Sequence, residues 1–87
     1  MPQIIIYSKD YCPYCTKAKN MLTQKGYGND IKEIDITHDE MLQKEMLEKS
    51  GGRKTVPQIF IGGTHVGGFT DMQELDAAGK LDPLLKS

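Results

Sequence analysis

The segment Gln3-Ile4-Ile5-Ile6-Tyr7-Ser8, followed closely by Cys12-Pro13-Tyr14-Cys15, decides the fold of this chain. Residues 3–8 predict a β-strand in which Ile4 and Ile6 point to one face and Ile5 and Tyr7 to the other. Both faces are apolar, which is typical of a central strand that is covered on two sides. The cysteine pair follows this strand closely and therefore lies between the strand and the next secondary-structure element.

The residues after the cysteine pair predict a helix over 13–25. Its apolar positions recur at helical spacing, and Gly26 and Gly28 are typical residues for its end. A second strand is predicted over 31–36, and a second helix, capped by Thr37 or Asp39, runs to about Lys49. The first half of the chain therefore reads β-α-β-α, and a β-α-β unit implies a parallel, right-handed crossover.

The second half of the chain predicts an antiparallel pair and two short helices. Gly62-Gly63 separates strands over 58–61 and 64–66, which is a strong hairpin pattern. A helix over 71–78 follows, and Asp82-Pro83 predicts the N-cap and first position of a last helix. The predicted fold is α/β, with the order β-α-β-α-β-β-α-α, a small mixed sheet and helices on both faces. The 87 residues predict a single domain, 1–87.

Composition excludes several classes of protein. Eleven Lys and Arg against twelve Asp and Glu give a net charge of −1, which does not suit a nucleic-acid binder that neutralises phosphates. The longest apolar run, residues 4–7, is far below the roughly 20 residues of a membrane helix. The sequence therefore predicts a cytoplasmic protein without a nucleic-acid or membrane partner.

The two cysteines have a chemical rather than a structural pattern. A bridge between Cys12 and Cys15 closes a loop too short to restrain much chain entropy. At the start of a helix, free N–H groups and the helix dipole lower the pKa of a thiol. Cys12 is therefore predicted to be the nucleophile, and Cys15, one turn later, can attack a disulfide formed at Cys12. Pro13 suits the first helical position.

Two other interpretations of the cysteine pair stay open at this point. A structural zinc site needs about four ligands, and the only further histidines, His38 and His65, are distant in sequence. Two inert core thiols are the second alternative. A Cys-x-x-C pair after a strand in a β-α-β pattern favours thiol–disulfide chemistry over both.

The sequence resembles the glutaredoxins of the dithiol Cys-Pro-Tyr-Cys class over essentially the whole chain. The resemblance rests on three segments: Lys9 to Cys15, Thr55-Val56-Pro57, and Gly67-Gly68-Phe69-Thr70-Asp71. It implies a thioredoxin-like fold with a four-stranded sheet. It also implies that these segments form a groove for glutathione, which is a co-substrate and not a bound cofactor. No metal site is expected.

The resemblance also assigns roles to single residues. Pro57, which base rates would make trans, is implied to be cis, and Val56 to pair with the cysteine residue of glutathione through its main chain. Thr70 with Gln73, or Asp71 with Glu74, has the pattern of a capping box. The resemblance adds a role for Asp71 in binding the γ-glutamyl ammonium. The remaining groove residues that it implies are Thr55, Gly68, Phe69 and Thr70.

The resemblance implies fewer residues at the glycine end of glutathione. Lys9 is expected to meet the glycine carboxylate, and Tyr14 to pack over the bound tripeptide. The loop 50–55 is one residue longer than the commoner family form, so Gln43 on the second helix is our assignment for a further carboxylate contact. The basic residues Arg53 and Lys54 are interpreted as solvated loop residues.

The function that follows is glutathione-dependent reduction of protein disulfides and glutathione mixed disulfides. The alternatives are a dimer that carries a [2Fe–2S] cluster through Cys12, a thioredoxin-like redoxin reduced by a flavoenzyme, and a binding module with vestigial cysteines. Pro13 disfavours the cluster carrier, and Asp71 disfavours the other two. The expected partners are glutathione and disulfide-containing or glutathionylated proteins, with ribonucleotide reductase as a family-level expectation. A monomer is expected.

Overall fold

A computed structural model describes residues 3–86 of the chain. The ends of the predicted domain, Met1, Pro2 and Ser87, lie outside the described residues. In chain order, the elements are β1 (Ile4–Ser8), α1 (Pro13–Gln24), a 3₁₀ turn (Gly28–Asp30), β2 (Ile31–Asp35), α2 (Glu40–Lys49), β3 (Gln58–Ile61), β4 (Thr64–Gly67), α3 (Phe69–Ala77) and α4 (Leu81–Lys86). The predicted order of strands and helices is confirmed, and the fold is thioredoxin-like.

The four strands form one mixed sheet in the order β2-β1-β3-β4. β1 pairs with β2 in parallel and with β3 antiparallel, so β1 is a central strand as its two apolar faces indicate. β3 and β4 pair antiparallel across Gly62 and Gly63, whose φ angles of +56° and +84° are in the left-handed region that the tight hairpin needs. The carboxyl end of β1, at Ser8, leads directly into the loop that carries the cysteines.

Two apolar clusters cover the sheet, one on each face. The larger contains the buried side chains Ile4, Ile6, Ala18, Leu22, Ile59, Ile61, Met72, Leu81 and Leu85, so α1, α3 and α4 pack on one face. The smaller contains Tyr7, Ile36 and Met46, and it places α2 on the other face. The predicted alternation of β1 is confirmed, since Ile4 and Ile6 enter one cluster and Tyr7 the other.

Two predicted helix starts are wrong. α3 begins at Phe69 with Gly68 as N-cap, and not at Asp71, because the Asp71 carboxylate reaches back to the backbone N–H of Gly68. α4 begins at Leu81, so Asp82 lies in its first turn and is not its cap. The carboxylate of Asp82 instead forms an ion pair of 3.1 Å with Lys25 at the end of α1.

The predicted bounds of β3 (58–61), the start of β2 and the end of α2 are confirmed, and several other boundaries differ from prediction by one residue. β1 starts at Ile4, β2 ends at Asp35, β4 extends to Gly67 and α1 ends at Gln24. Of the two possible caps for α2, Asp39 is the one used, and its carboxylate accepts the backbone N–H of Leu42 at 3.0 Å. Within residues 3–86, no helix combines the length and apolar character required to cross a bilayer.

Candidate active site

The cysteine pair lies where β1 ends and α1 begins. Cys12 is the N-cap of α1, and Pro13 occupies the first helical position, as the sequence predicts. The Cys12 sulfur accepts the backbone N–H of Cys15 at 3.2 Å. Cys15 is 2% exposed, whereas Cys12 is only half-buried. The two residues form a disulfide with a Cα–Cα distance of 5.2 Å.

The environment of the two sulfurs is therefore unequal. Cys12 Sγ takes the position that a capping oxygen takes in other helices, where a negative charge is stabilised by backbone N–H groups and the helix dipole. After reduction of the disulfide, the Cys12 sulfur would keep this position at the helix start, while the Cys15 sulfur would stay buried. This geometry favours Cys12 over Cys15 as the nucleophile.

A groove of about 160 Å³ lies beside Cys12. It is lined by Tyr14, Arg53, Thr55, Val56, Pro57, Gly68, Phe69, Thr70 and Asp71. The Val56 carbonyl oxygen in its wall is 3.9 Å from Cys12 Sγ, and the Val56–Pro57 bond is cis. Tyr14 of the first sequence segment thus meets residues of the other two segments in one groove. The cis bond that the resemblance implies is confirmed, and the trans geometry favoured by base rates is wrong.

The far wall of the groove is the start of α3. Asp71 Oδ2 accepts the backbone N–H of Gly68 at 2.8 Å and an N–H of Arg53 at 3.0 Å. The Gly68 N–H and, after it, the Arg53 guanidinium hold the pKa of the Asp71 carboxyl below its usual range. The side chain of Asp71 is 41% exposed, and among the described residues its hydrogen bonds are made through Oδ2.

The sequence of this chain matches a known protein family. A family model described as Glutaredoxin fits residues 4–66. The chain is 48% identical over 86 residues to Glutaredoxin 3 of Escherichia coli strain K12. The alignment covers 99% of this chain and 100% of the relative.

The chain belongs to the glutaredoxin family.

Solved glutaredoxins share the fold of this chain. The solution structure of glutaredoxin from Brucella melitensis has 50% identity and a TM-score of 0.81, over 97% of this chain and 88% of that one. A crystal structure of the buckwheat glutaredoxin–glutathione complex has 33% identity and a TM-score of 0.78, over 98% and 77% of the two chains. This glutaredoxin is therefore a glutathione-dependent thiol–disulfide oxidoreductase.

Two residues assigned to the glycine end lie apart from the groove. Lys9 and Gln43 line a separate cleft together with residues of α2 and Lys54. The Gln43 amide nitrogen donates to the carbonyl oxygens of Ile36 at 2.8 Å and Thr37 at 3.4 Å. Gln43 of this glutaredoxin thus positions the loop after β2, and its amide N–H groups are engaged before any ligand arrives.

Arg53 is the groove residue that sequence reasoning missed. Its place in a loop predicts a solvated side chain, and this prediction is wrong, because its guanidinium lines the groove and forms the ion pair with Asp71. A basic residue two positions before the Thr-Val-Pro segment is the only signal that the sequence offers. Nothing in the sequence distinguishes Arg53 from its neighbour Lys54, which lines the other cleft.

A buried polar network supports the Thr55 side of the groove. Gln58 is fully buried, and its amide nitrogen donates to the Thr55 carbonyl oxygen at 3.0 Å and to Thr55 Oγ1 at 3.3 Å. The Gln58 amide oxygen lies 2.8 Å from Nε2 of His65, whose ring lies against Phe60. This network ties the groove to the β3–β4 hairpin of the glutaredoxin.

The part of the chain that the structure describes contains no cluster of three or more His, Cys, Asp or Glu side chains arranged to hold a metal ion. His38 is exposed, and His65 is engaged with Gln58.

Proposed function

We propose that residues 1–87 act as one glutaredoxin domain in which Cys12 is the nucleophile and the groove holds the glutathionyl group. The observation that carries this proposal is the position of Cys12 Sγ. It caps α1 through the N–H of Cys15 and lies 3.9 Å from the Val56 carbonyl oxygen in the groove wall. A glutathionyl sulfur bound next to Val56 therefore lies within reach of this nucleophile.

With a glutathionylated protein, the Cys12 thiolate attacks the glutathionyl sulfur. A bond forms between Cys12 and glutathione, the original disulfide breaks, and the protein cysteine leaves as a thiolate that takes a proton from water. The thiolate of a second glutathione then attacks the glutathionyl sulfur on Cys12. Oxidised glutathione leaves and the Cys12 thiolate is regenerated, so this route does not use Cys15.

With a protein disulfide, Cys12 first forms a mixed disulfide with one protein cysteine and releases the other as a thiolate. The Cys15 thiol loses its proton and attacks Cys12 Sγ, which releases the second protein thiolate. The product is the Cys12–Cys15 disulfide. Two glutathione molecules reduce this disulfide and form one molecule of oxidised glutathione.

The groove offers complementary groups to the γ-glutamyl end of glutathione. The Val56 main chain pairs with the cysteine residue of the tripeptide, as in strand addition. Asp71 Oδ1 receives the α-ammonium, while the backbone N–H groups at the start of α3 and the Arg53 guanidinium face the α-carboxylate. Gly68, Phe69 and Thr70 form the surface between these groups, and Thr55 and Pro57 form the opposite wall.

The glycine end of glutathione extends towards Lys9. This lysine is exposed and follows β1 directly, so its ammonium group is accessible to a carboxylate. Tyr14 is 55% exposed and lies next to Phe69, with the ring centroids 6.3 Å apart. These two rings cover the bound tripeptide. Gln43 is a weaker contact in this proposal, because its amide nitrogen is occupied by Ile36 and Thr37.

The partners in this proposal are glutathione and proteins with disulfides or glutathionyl groups. Ribonucleotide reductase is a protein substrate of this kind. We further propose a cytoplasmic monomer without a bound cofactor and without a nucleic-acid or membrane partner. The balanced charge of −1 supports the absence of nucleic-acid binding.

The experiment that tests the proposed function is a coupled assay. The protein is mixed with glutathione, glutathione reductase, NADPH and the mixed disulfide of glutathione and cysteine, and NADPH oxidation is followed. We expect turnover that depends on both glutathione and the protein. Turnover of the mixed disulfide that needs a flavoenzyme disulfide reductase specific for the protein, and not glutathione, would contradict the proposal.

A further inference from the structure

Tyr11, the residue before Cys12, presents its entire side chain to solvent. Its relative exposure is 102%, the highest of the exposed large hydrophobic residues, and within residues 3–86 its side chain makes no hydrogen bond or ring contact. Single exposed apolar residues are common on protein surfaces. This ring, however, adjoins the nucleophile, so its exposure has a bearing on which molecules approach Cys12.

The backbone of Tyr11 is also unusual. Its φ angle is +56°, and among the described residues it is the only one other than glycine with a positive φ. This left-handed conformation favours Gly, Asn or Asp and costs free energy for an aromatic residue. The turn is flanked by two contacts: the Asp10 N–H donates to Thr37 Oγ1 at 2.9 Å, and Cys12 is the N-cap of α1. The exposed ring adds no hydrogen bond or ring contact within residues 3–86.

Tyr11 lines a cavity that is separate from the groove. This third cavity is lined by Tyr11, Cys12, Pro13 and Thr16 among others, and it shares no lining residue with the groove. Cys12 Sγ is nevertheless only 3.9 Å from the Val56 carbonyl oxygen at the groove. The nucleophile therefore lies between two surfaces: the groove, and a face that carries the exposed ring of Tyr11.

We infer that Tyr11 is a docking residue for the polypeptide that surrounds the substrate cysteine. This inference rests on the proposed function, in which the glutathionyl half of a mixed disulfide fills the groove. The protein half is then left with the other face of Cys12, where the Tyr11 ring offers an apolar surface to main chain and apolar side chains. The charges on this cleft are mixed, with Lys9 and Lys19 against Asp10, Glu33 and Asp35. The contact therefore selects polypeptide through the ring and not through net charge.

The test compares two substrates with the same glutathionyl half: S-glutathionylated serum albumin, and the mixed disulfide of glutathione and cysteine. Tyr11→Asn removes the ring and suits the left-handed backbone, so the variant keeps its turn. Tyr11→Phe keeps the ring and is the matched control. Covering roughly 40 Å² of ring at about 25 cal/mol per Å² corresponds to about a fivefold effect on kcat/KM.

We expect Tyr11→Asn to lower kcat/KM about fivefold with glutathionylated albumin and to leave the small mixed disulfide within about twofold of the wild type. Tyr11→Phe stays near the wild type with both. Equal effects of Tyr11→Asn on the two substrates, no effect on albumin, or a loss in Tyr11→Phe as large as in Tyr11→Asn would overturn the inference. Wild-type turnover of the small mixed disulfide reports separately on the proposed function, because that substrate has no polypeptide half.

Discussion

Arg53 and Asp71, 18 positions apart in sequence, form an ion pair of 3.0 Å in the wall of the groove. The same Asp71 oxygen accepts the backbone N–H of Gly68, so one carboxylate joins the loop before β3 to the start of α3. Both side chains are about two-fifths exposed, and an exposed pair of this kind contributes little to stability, about 0–1 kcal/mol. The pair therefore contributes little to the fold, and in the proposed function its charges face a zwitterionic ligand.

Asp71→Asn separates the binding role of this carboxylate from its role at the helix start. The amide oxygen of Asn still accepts the Gly68 N–H, but the negative charge opposite the γ-glutamyl ammonium is lost. A charge-assisted hydrogen bond of ~1.5–3 kcal/mol is removed, so kcat/KM for the glutathione–cysteine mixed disulfide should fall about tenfold or more. Unchanged kcat/KM in a folded Asp71→Asn protein would leave Asp71 with its structural role alone.

Arg53→Met removes the guanidinium but keeps an unbranched side chain along the groove. We expect KM for glutathionylated substrate to rise about threefold to tenfold, because the α-carboxylate loses one cationic partner. The melting temperature should change little, since the ion pair is exposed. Lys32→Met, which removes the same charge from β2 at the opposite edge of the sheet, is the control. A similar rise in KM for both variants would show a general charge effect and not a contact in the groove.

Gln58→Met breaks the network behind Thr55 with a side chain of similar length. Two hydrogen bonds to Thr55 and one to His65 are lost, so the free energy of unfolding in urea should fall by about 1–2 kcal/mol. KM for glutathionylated substrate should also rise, because Thr55 is no longer held at the groove. His65→Ala leaves the bonds from Gln58 to Thr55 intact and should raise KM less. A larger KM effect from His65→Ala than from Gln58→Met would contradict this account of the network.

The raised pKa of Tyr7 predicts that the free energy of unfolding decreases at alkaline pH. Burial, followed by its hydrogen bond to Glu45, raises the pKa of Tyr7 from 10.0 to about 12. The unfolded chain therefore loses the Tyr7 proton at lower pH than the folded protein. The contribution to stability is complete below pH 10.0 and is lost as the pH rises towards 12.

The measurement is urea unfolding at about pH 8.5 and about pH 11, in proteins that carry Cys12→Ser and Cys15→Ser so that thiol titration does not contribute. Between these two values we expect the protein with Tyr7 to lose on the order of 1 kcal/mol more than Tyr7→Phe does. The same pH dependence in both proteins would show that Tyr7 titrates normally in the folded state.

The order of strands and helices was predictable because its signals are local. The two apolar faces of β1 and the Gly62-Gly63 turn are each fixed by a few adjacent residues. The start of α3 was not predictable from such local signals. The sequence offers Thr70 and Asp71 as caps, whereas the N-cap of α3 is Gly68, which has no side chain that could indicate a cap. The reach of Asp71 back to the Gly68 N–H is visible only once the helix is built.

The position of the cysteines at a helix start was predictable from the sequence, but not every residue that lines the groove was. Cys12 follows a strand and precedes a proline, which is enough to place it at a helix start. The cis bond before Pro57 has no local signal, and only the resemblance to a family implied it. The Arg53–Asp71 pair and the left-handed turn at Tyr11 depend on tertiary contacts, which residue spacing does not encode.

The central claim is that Cys12 alone attacks and that Cys15 only resolves. The most direct measurement is the turnover of two substrates, the glutathione–cysteine mixed disulfide and a protein disulfide, by Cys12→Ser and Cys15→Ser in the coupled assay. We predict that Cys12→Ser turns over neither substrate, and that Cys15→Ser retains the mixed disulfide but loses the protein disulfide. Turnover by Cys12→Ser, or complete loss of mixed-disulfide reduction in Cys15→Ser, would contradict the account.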